Sequence, residues 1–261
     1  MTRPPVPLAL TIAAALAACS SSGDGEGKTY VLVHGAWMGA AGWDPVAERL
    51  RAEGAEVLSP ELPAHGGDPG APGDATLAGY ADRVASAIAT AGRPVILVGH
   101  SMGGVVISSA AEARPAGVAR LVYVAAYLPR DGESLLDLAM TDGDSEVGDS
   151  LVDHGDGTLG IRPDAFADLF CPDCDDRGRA ALVAGYRPEP AAPLATPVEL
   201  TGAFGALPRT YVATALDRVV SPELQARMTA ATPVDRELTL ETGHVPMLAA
   251  PGALAELLLD E

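Results

Sequence analysis

The sequence predicts an α/β fold: a mostly parallel sheet flanked by helices, with a small block inserted into it. Three observations predict it. Runs such as Tyr30-Val31-Leu32-Val33 and Val95-Ile96-Leu97-Val98 are short and continuously apolar, the pattern of strands buried on both faces. Segments with helical spacing separate these runs, and a strand–helix alternation implies parallel neighbours joined by crossovers. The alternation stops between about residues 129 and 205, where no strand is evident, and then resumes. Such an interruption reads as a lid inserted between two sheet strands.

Composition bounds the answer. A chain of 261 residues can form one sizeable domain with its own core, and 48% hydrophobic residues argue against disorder. The formal net charge of −18 leaves no basic face for phosphates, which excludes nucleic acid as a partner class.

The start of the chain reads as an export signal. Arg3 gives a positive beginning, and Val6 to Ala18 is apolar but too short to span a bilayer. It ends in Leu16-Ala17-Ala18-Cys19, which resembles a bacterial lipobox with Cys19 as the lipidated residue. The expected organisation is a signal peptide over 1–18, a flexible tether over 19–29 and a folded domain over 30–261, with the lid at about 129–205. A lipid on Cys19 would be the domain's only link to a membrane, and it places the protein in the cell envelope. Cys171 and Cys174, in Cys171-Pro172-Asp173-Cys174, then remain as a structural disulfide or as two thiols. No further Cys or His lies at zinc-ligand spacing, so no metal is expected.

The elements follow in order. The first apolar run ends in His34-Gly35-Ala36-Trp37. Asp44 is expected to cap a helix with Pro45 at its first position, running to about Glu53. Glu56 to Pro60 is the next strand. Thr76 caps a helix whose apolar positions include Leu77, Tyr80, Val84 and Ile88, closed by Gly92. Then comes the strand Val95–Val98 and, directly after it, Gly99-His100-Ser101-Met102-Gly103. Small residues with helical spacing follow through Ala111, and Leu121 to Ala126 is another strand. Asp131 to Asp156 is acidic, with no Lys or Arg. Its spacing around Asp142-Gly143-Asp144 does not match a calcium loop, so a solvated surface is expected. Pro163 to Phe170 and Asp175 to Tyr186 read as short helices. Beyond the lid, Thr210 to Ala215 is a strand, Pro222 to Ala231 a helix and Glu237 to Glu241 the last strand. Met247 to Leu259 is a closing helix interrupted by Pro251.

A strand, then G-x-S-x-G, then a helix is the setting in which the motif forms a nucleophile elbow. A serine hydroxyl needs a histidine to take its proton and a carboxylate to hold that histidine in the right tautomer. Catalytic groups in an open parallel sheet collect at the carboxyl ends of strands. Ser101, Asp217 and His244 sit there in the order Ser, Asp, His. His34, His65, His100 and His154 are rival histidines, and Asp235 and Glu241 rival acids. Asp235 falls before the last strand, at the wrong end of the sheet. The backbone amides of Ala36 and Met102 are the expected oxyanion donors.

Val31 to Trp37, Val95 to Gly104, Leu207-Pro208-Arg209-Thr210-Tyr211 and Gly243-His244 resemble the α/β-hydrolase group that holds plant methyl-ester esterases, hydroxynitrile lyases and related bacterial esterases. The resemblance covers most of the chain from Tyr30 onward and is weakest in the lid. It implies an α/β-hydrolase fold and a Ser-His-Asp esterase with no cofactor. It assigns Ser101, Asp217 and His244 as triad and Ala36 and Met102 as oxyanion donors. In the lyases a threonine follows the first-strand histidine and a lysine follows the catalytic histidine. Gly35 and Val245 stand there in this chain, so no ammonium is available for a departing cyanide, and hydrolysis is favoured over cyanohydrin cleavage. A third alternative is a binding protein on the same scaffold without turnover. The expected substrate is a small to medium hydrophobic ester, in a pocket drawn from Trp37, Met102, Tyr127, Phe166, Phe204 and Val245.

Overall fold

The computed structural model describes Met1, Gly25 and residues 27–261. Cys19 and the expected signal lie outside the described residues. Among the described residues no helix is long and apolar enough to cross a membrane.

The chain runs through β1 (Thr29–Val33), α1 (Asp44–Ala52), β2 (Glu56–Leu58), α2 (Leu77–Ala91), β3 (Val95–His100), α3 (Gly103–Ala113) and β4 (Val118–Val124). An inserted block follows, with α4 (Leu135–Ala139), β5 (Leu151–Asp153), β6 (Thr158–Ile161), α5 (Pro163–Phe170), α6 (Asp176–Ala184), β7 (Glu189–Pro190), α7 (Ala191–Ala195) and α8 (Gly202–Gly205). The chain then completes β8 (Arg209–Thr214), α9 (Pro222–Ala231), β9 (Arg236–Leu240), α10 (Pro246–Ala249) and α11 (Pro251–Leu259).

Six strands form one parallel sheet in the order β2-β1-β3-β4-β8-β9. The strand order reverses at β1: the chain goes outward to β2, then returns past β1 to β3. Right-handed crossovers put α1 and α2 on opposite faces of the sheet. The reversal opens a crevice at the carboxyl ends of β1 and β3, where ligands collect in open α/β sheets. Val33 pairs with Gly99 there, so the loops leaving the two strands start side by side.

Burial explains the strands. Every residue of β1 and β3 is buried, as a sheet covered on both faces requires. Strand β9 is an edge and alternates half-buried with exposed residues. The Thr76 side chain accepts from the Gly79 N–H to start α2, and Gly92, at φ 66°, ends it.

Two expectations are corrected. Asp44 does not cap α1: a single turn of 3₁₀ helix, Ala40–Trp43, runs straight into it, so Trp43 takes the cap position and Asp44 is the first helical residue. Asp44 still lies in the first turn, where the helix dipole favours its charge. The lid does contain strands. Strands β5, β6 and β7 form an antiparallel sheet of their own. Gly155 and Gly157, at φ 74° and 85°, turn the chain between β5 and β6.

Candidate active site

The elbow is tight. Ser101 has φ 53°, a left-handed conformation that bulky neighbours cannot accompany. A Cβ on Gly99 would meet the Gly103 carbonyl oxygen at 2.6 Å, and one on Gly103 would meet the Val33 carbonyl oxygen at 2.7 Å. The two motif glycines are thus demanded by backbone contact. The turn lifts Ser101 to the crevice beside the loop after β1.

Three expected residues come together. His244, in the loop after β9, places Nε2 2.9 Å from Ser101 Oγ and Nδ1 2.8 Å from Asp217 Oδ2. The side chains of His244 and Asp217 are fully buried. Asp217 is held on both oxygens. Its Oδ1 accepts the backbone N–H groups of Val219 (2.8 Å) and Val220 (3.0 Å), and Oδ2 also accepts the Thr214 hydroxyl (2.9 Å). Gln225 on α9 closes this network, accepting the Thr214 N–H at 3.0 Å and donating to the Val220 carbonyl at 2.7 Å. Sequence reasoning missed Thr214 and Gln225, and nothing in their local pattern distinguishes them from ordinary polar residues.

The His244 loop is fastened from the lid. The Gly243 N–H donates to Asp173 Oδ2 at 2.9 Å, and the Phe170 ring stands edge-on to His244 at 5.4 Å between centroids. Asp173 lies between Cys171 and Cys174, which are joined in a disulfide.

The rival groups are engaged elsewhere. His100 points away from Ser101 and donates Nε2–H to the His244 carbonyl at 2.8 Å. Burial pushes its pKa well below the usual imidazole value, and the neighbouring His244 adds to this. His100 is therefore neutral, and its bare Nδ1 meets no hydrogen-bond partner among the described residues. His34 and His65 lie behind the loop after β1, their ring centroids 4.9 Å apart and their planes tilted by 54°. His154 bonds Thr158 in the lid sheet. Asp235 accepts the Arg209 N–H at the far end of β8, and Glu241 is exposed. Arg218 pairs with Glu146 of the lid rather than with Asp217.

The Ala36 and Met102 amides donate to no protein acceptor among the described residues. Both residues line the cavity onto which Ser101 opens, a space of about 290 Å³. Trp37 and Tyr127 line it too. Phe166, Phe204 and Val245 do not, which corrects the expected pocket. Phe166 packs behind Phe170 and against Tyr186. Phe204 lies under the Arg209 guanidinium, 4.4 Å from it, at the start of β8 and so at the opposite end of the sheet. Val245, the next residue after His244, is fully buried. The apolar wall comes instead from the lid, through Leu135, Leu159, Leu194 and an outer rim. That rim is Leu136, Leu151 and Met140, which are 43%, 42% and 79% exposed.

Gly35 is constrained by the site itself. A Cβ there would stand 2.8 Å from Ser101 Cβ and 2.9 Å from His100 Nδ1. Gly35→Ala is expected to lower kcat about 100-fold by displacing the nucleophile, with a smaller change in KM. Steady-state kinetics on the folded variant checks this.

His65 carries a second testable consequence. Desolvation disfavours its cation, but the Glu189 carboxylate, the Pro63 carbonyl and the charge on Glu61 together raise its pKa above 6.5. The folded chain holds this proton more tightly than the unfolded one. The stabilisation is thus complete below about pH 6.5 and is lost as pH rises through the raised folded value. The Tm is expected to decline over that interval, and less steeply in His65→Asn, as thermal melts across pH will read.

A serine–histidine–carboxylate chain at the carboxyl ends of a parallel sheet defines a hydrolase of the nucleophile-elbow kind. Comparison agrees. The alpha/beta hydrolase family model matches residues 30–257, and the chain belongs to that family. It is 31% identical over 241 residues to a pyrethroid hydrolase of Sphingobium wenxiniae, covering 88% of this chain and 86% of that one. It is 30% identical to methylesterase 7 of Arabidopsis thaliana, covering 89% and 95%. Among solved structures, a pyrethroid hydrolase from Sphingobium faniae superposes with a TM-score of 0.80 at 28% identity, over 89% of this chain and 96% of that one. An extracellular alpha/beta-hydrolase from a Paenibacillus species does so with a TM-score of 0.77 at 26% identity, over 89% and 98%.

Proposed function

We propose that this chain hydrolyses a small to medium hydrophobic carboxylic ester in two steps, through an acyl-enzyme on Ser101. The coarser statement, that it is an enzyme of the carboxylic ester hydrolase class, rests on its family and on relatives named for hydrolysing esters. The finer reading is supported above all by one observation: Asp217, His244 and Ser101 form a continuous hydrogen-bond chain, 2.8 and 2.9 Å, opening onto an apolar cavity.

Each residue has a role in this reading. Ser101 Oγ attacks the ester carbonyl as His244 Nε2 takes its proton. The Ala36 and Met102 amides hold the tetrahedral oxyanion. His244 returns the proton to the leaving alcohol, then draws one from the water that releases the acid. Asp217 keeps the other imidazole proton on Nδ1 and stabilises the cation. No metal or organic cofactor enters the reaction. The polar groups at the cavity wall are already engaged: Asp142 accepts from Ser221, and Ser145 donates to the Val219 carbonyl. An uncharged, apolar ester matches such a lining.

Cyanohydrin cleavage is disfavoured by the same geometry. A threonine side chain at position 35 has no room beside Ser101, and Val245 offers no cation. The proposed location is the cell envelope, with the domain anchored through lipid on Cys19. Cys19→Ser should then release the protein into the soluble fraction.

The decisive experiment is a panel of chromogenic esters that varies acyl and alcohol parts independently, with Ser101→Ala as control. Turnover led by uncharged apolar esters is expected. Binding without burst or turnover would sink the hydrolytic reading in favour of a ligand-binding protein on this scaffold.

A further inference from the structure

Behind the loop after β1, the fold buries an acid that the triad does not use. Glu189 sits on β7 of the lid, wholly inaccessible to solvent. Its Oε2 faces His65 Nε2 at 2.7 Å and accepts the backbone N–H of Trp37 at 3.2 Å. Its Oε1 accepts the Tyr80 hydroxyl at 3.3 Å.

Proton accounting limits what the pair can be. His65 Nδ1 lies 2.9 Å from the Pro63 carbonyl, which can only accept, so Nδ1 carries a hydrogen. One further proton bridges His65 Nε2 and Glu189 Oε2. The pair as a whole is uncharged, and it leaves a lone pair on Oε2 aimed at Trp37. The other titratable groups facing it are Tyr80, Glu61 and His34.

Trp37 is the residue that needs holding. It directly follows Ala36, and it has φ 59°, a conformation that a bulky aromatic adopts only when its surroundings impose it. Three bonds impose it, and all three come from the lid. Glu189 accepts its N–H, the Leu159 carbonyl accepts its indole N–H at 2.8 Å, and its own carbonyl accepts the Arg187 N–H at 3.2 Å. An oxyanion donor must be held near its productive position before the charge develops. The turn carrying the Ala36 amide is thus shaped by a residue about 150 positions away in the chain.

We propose that Glu189 is a positioning residue for ester hydrolysis, a clamp from the lid that sets the oxyanion turn through the Trp37 N–H, with His65 keeping its carboxylate aimed. The role in catalysis rests on the hydrolytic reading above. The clamp on the turn does not.

Glu189→Gln is the discriminating variant. It keeps the shape of the side chain. Neutral His65, protonated on Nδ1, accepts from the new amide, and the amide oxygen remains for Tyr80. The Trp37 N–H then faces another N–H and loses its acceptor. The expected result is a kcat per titrated active site lowered about 10- to 100-fold, with KM changed less than about 3-fold. Affinity for a boronate that forms a tetrahedral adduct with Ser101 should fall by a similar factor. A merely structural role would lower the Tm and the number of titratable sites while leaving kcat per site and boronate affinity unchanged, and that result overturns the catalytic role. Amide hydrogen exchange tests the clamp separately. In the wild type the Trp37 amide should exchange as slowly as those of β1, and in Glu189→Gln at least about 10-fold faster. Fast exchange in the wild type overturns the clamp even where the variant fails to fold. A wild type with no ester turnover overturns the hydrolytic reading and leaves exchange to decide the clamp.

Discussion

Ser101→Ala is expected to lower kcat on an activated ester by about 10⁵- to 10⁶-fold, with KM nearly unchanged. The covalent route is lost altogether, because Ser101 Oγ is the hydroxyl that His244 Nε2 meets among the described residues, at 2.9 Å. The cavity survives, since Oγ contributes little to its apolar wall. What activity remains comes from binding and from the Ala36 and Met102 amides acting on a water-derived nucleophile. His244→Ala should cost about as much, and the double variant no more than either alone, because the two residues act as a unit. Burst kinetics gives the clearest readout: the wild type releases one equivalent of chromophore before steady state, and Ser101→Ala releases none. A Ser101→Ala protein retaining more than about a hundredth of wild-type turnover would overturn the acyl-enzyme.

Much of this site is legible in sequence, for a definite physical reason. Strands β1 and β3 are buried along their whole length and β4 over its last four residues, Leu121–Val124, so they appear as short apolar runs with sharp ends. The candidate catalytic groups follow strand ends: Ser101 follows β3, Asp217 follows β8 and His244 follows the edge strand β9. Locating the strands therefore locates His34-Gly35-Ala36, Ser101, Asp217 and His244 without any knowledge of contacts. The elbow adds its own signature, because Gly99 and Gly103 have backbone atoms where a Cβ would go.

The lid hides for the opposite reason. Strands β5, β6 and β7 span three, four and two residues and pair with one another rather than with the main sheet. So short a strand has no periodicity to detect. The pocket wall is hidden too. Phe166 and Phe204 are apolar aromatics of the sort that line pockets, but they serve the lid core and the base of β8. Leu136, Met140 and Leu151 do the lining instead. Composition cannot separate a core phenylalanine from a pocket one. Glu189 is the extreme case: its partners His65 and Trp37 lie 124 and 152 residues away, and its own neighbourhood is a proline-rich stretch.

Asp217→Asn is expected to lower kcat about 10⁴-fold while leaving the fold intact, and the network around the carboxylate says why. Oδ1 receives two backbone N–H groups, from Val219 and Val220. An amide NH₂ placed there would face two donors, so an asparagine must keep its oxygen on that side. Its NH₂ is then forced into the Oδ2 position, 2.8 Å from His244 Nδ1. Nitrogen facing nitrogen makes the amide the donor and strips Nδ1 of its hydrogen. The imidazole proton moves to Nε2, where it points at Ser101 Oγ and cannot accept the serine proton. The lost rate is therefore a tautomer effect, produced by the two amides that hold the acid. Asp217→Ala releases the ring from that wrong tautomer, so it should recover part of the activity that Asp217→Asn loses. Equal or lower activity in Asp217→Ala would show that orientation of His244, not its tautomer, is the acid's main contribution.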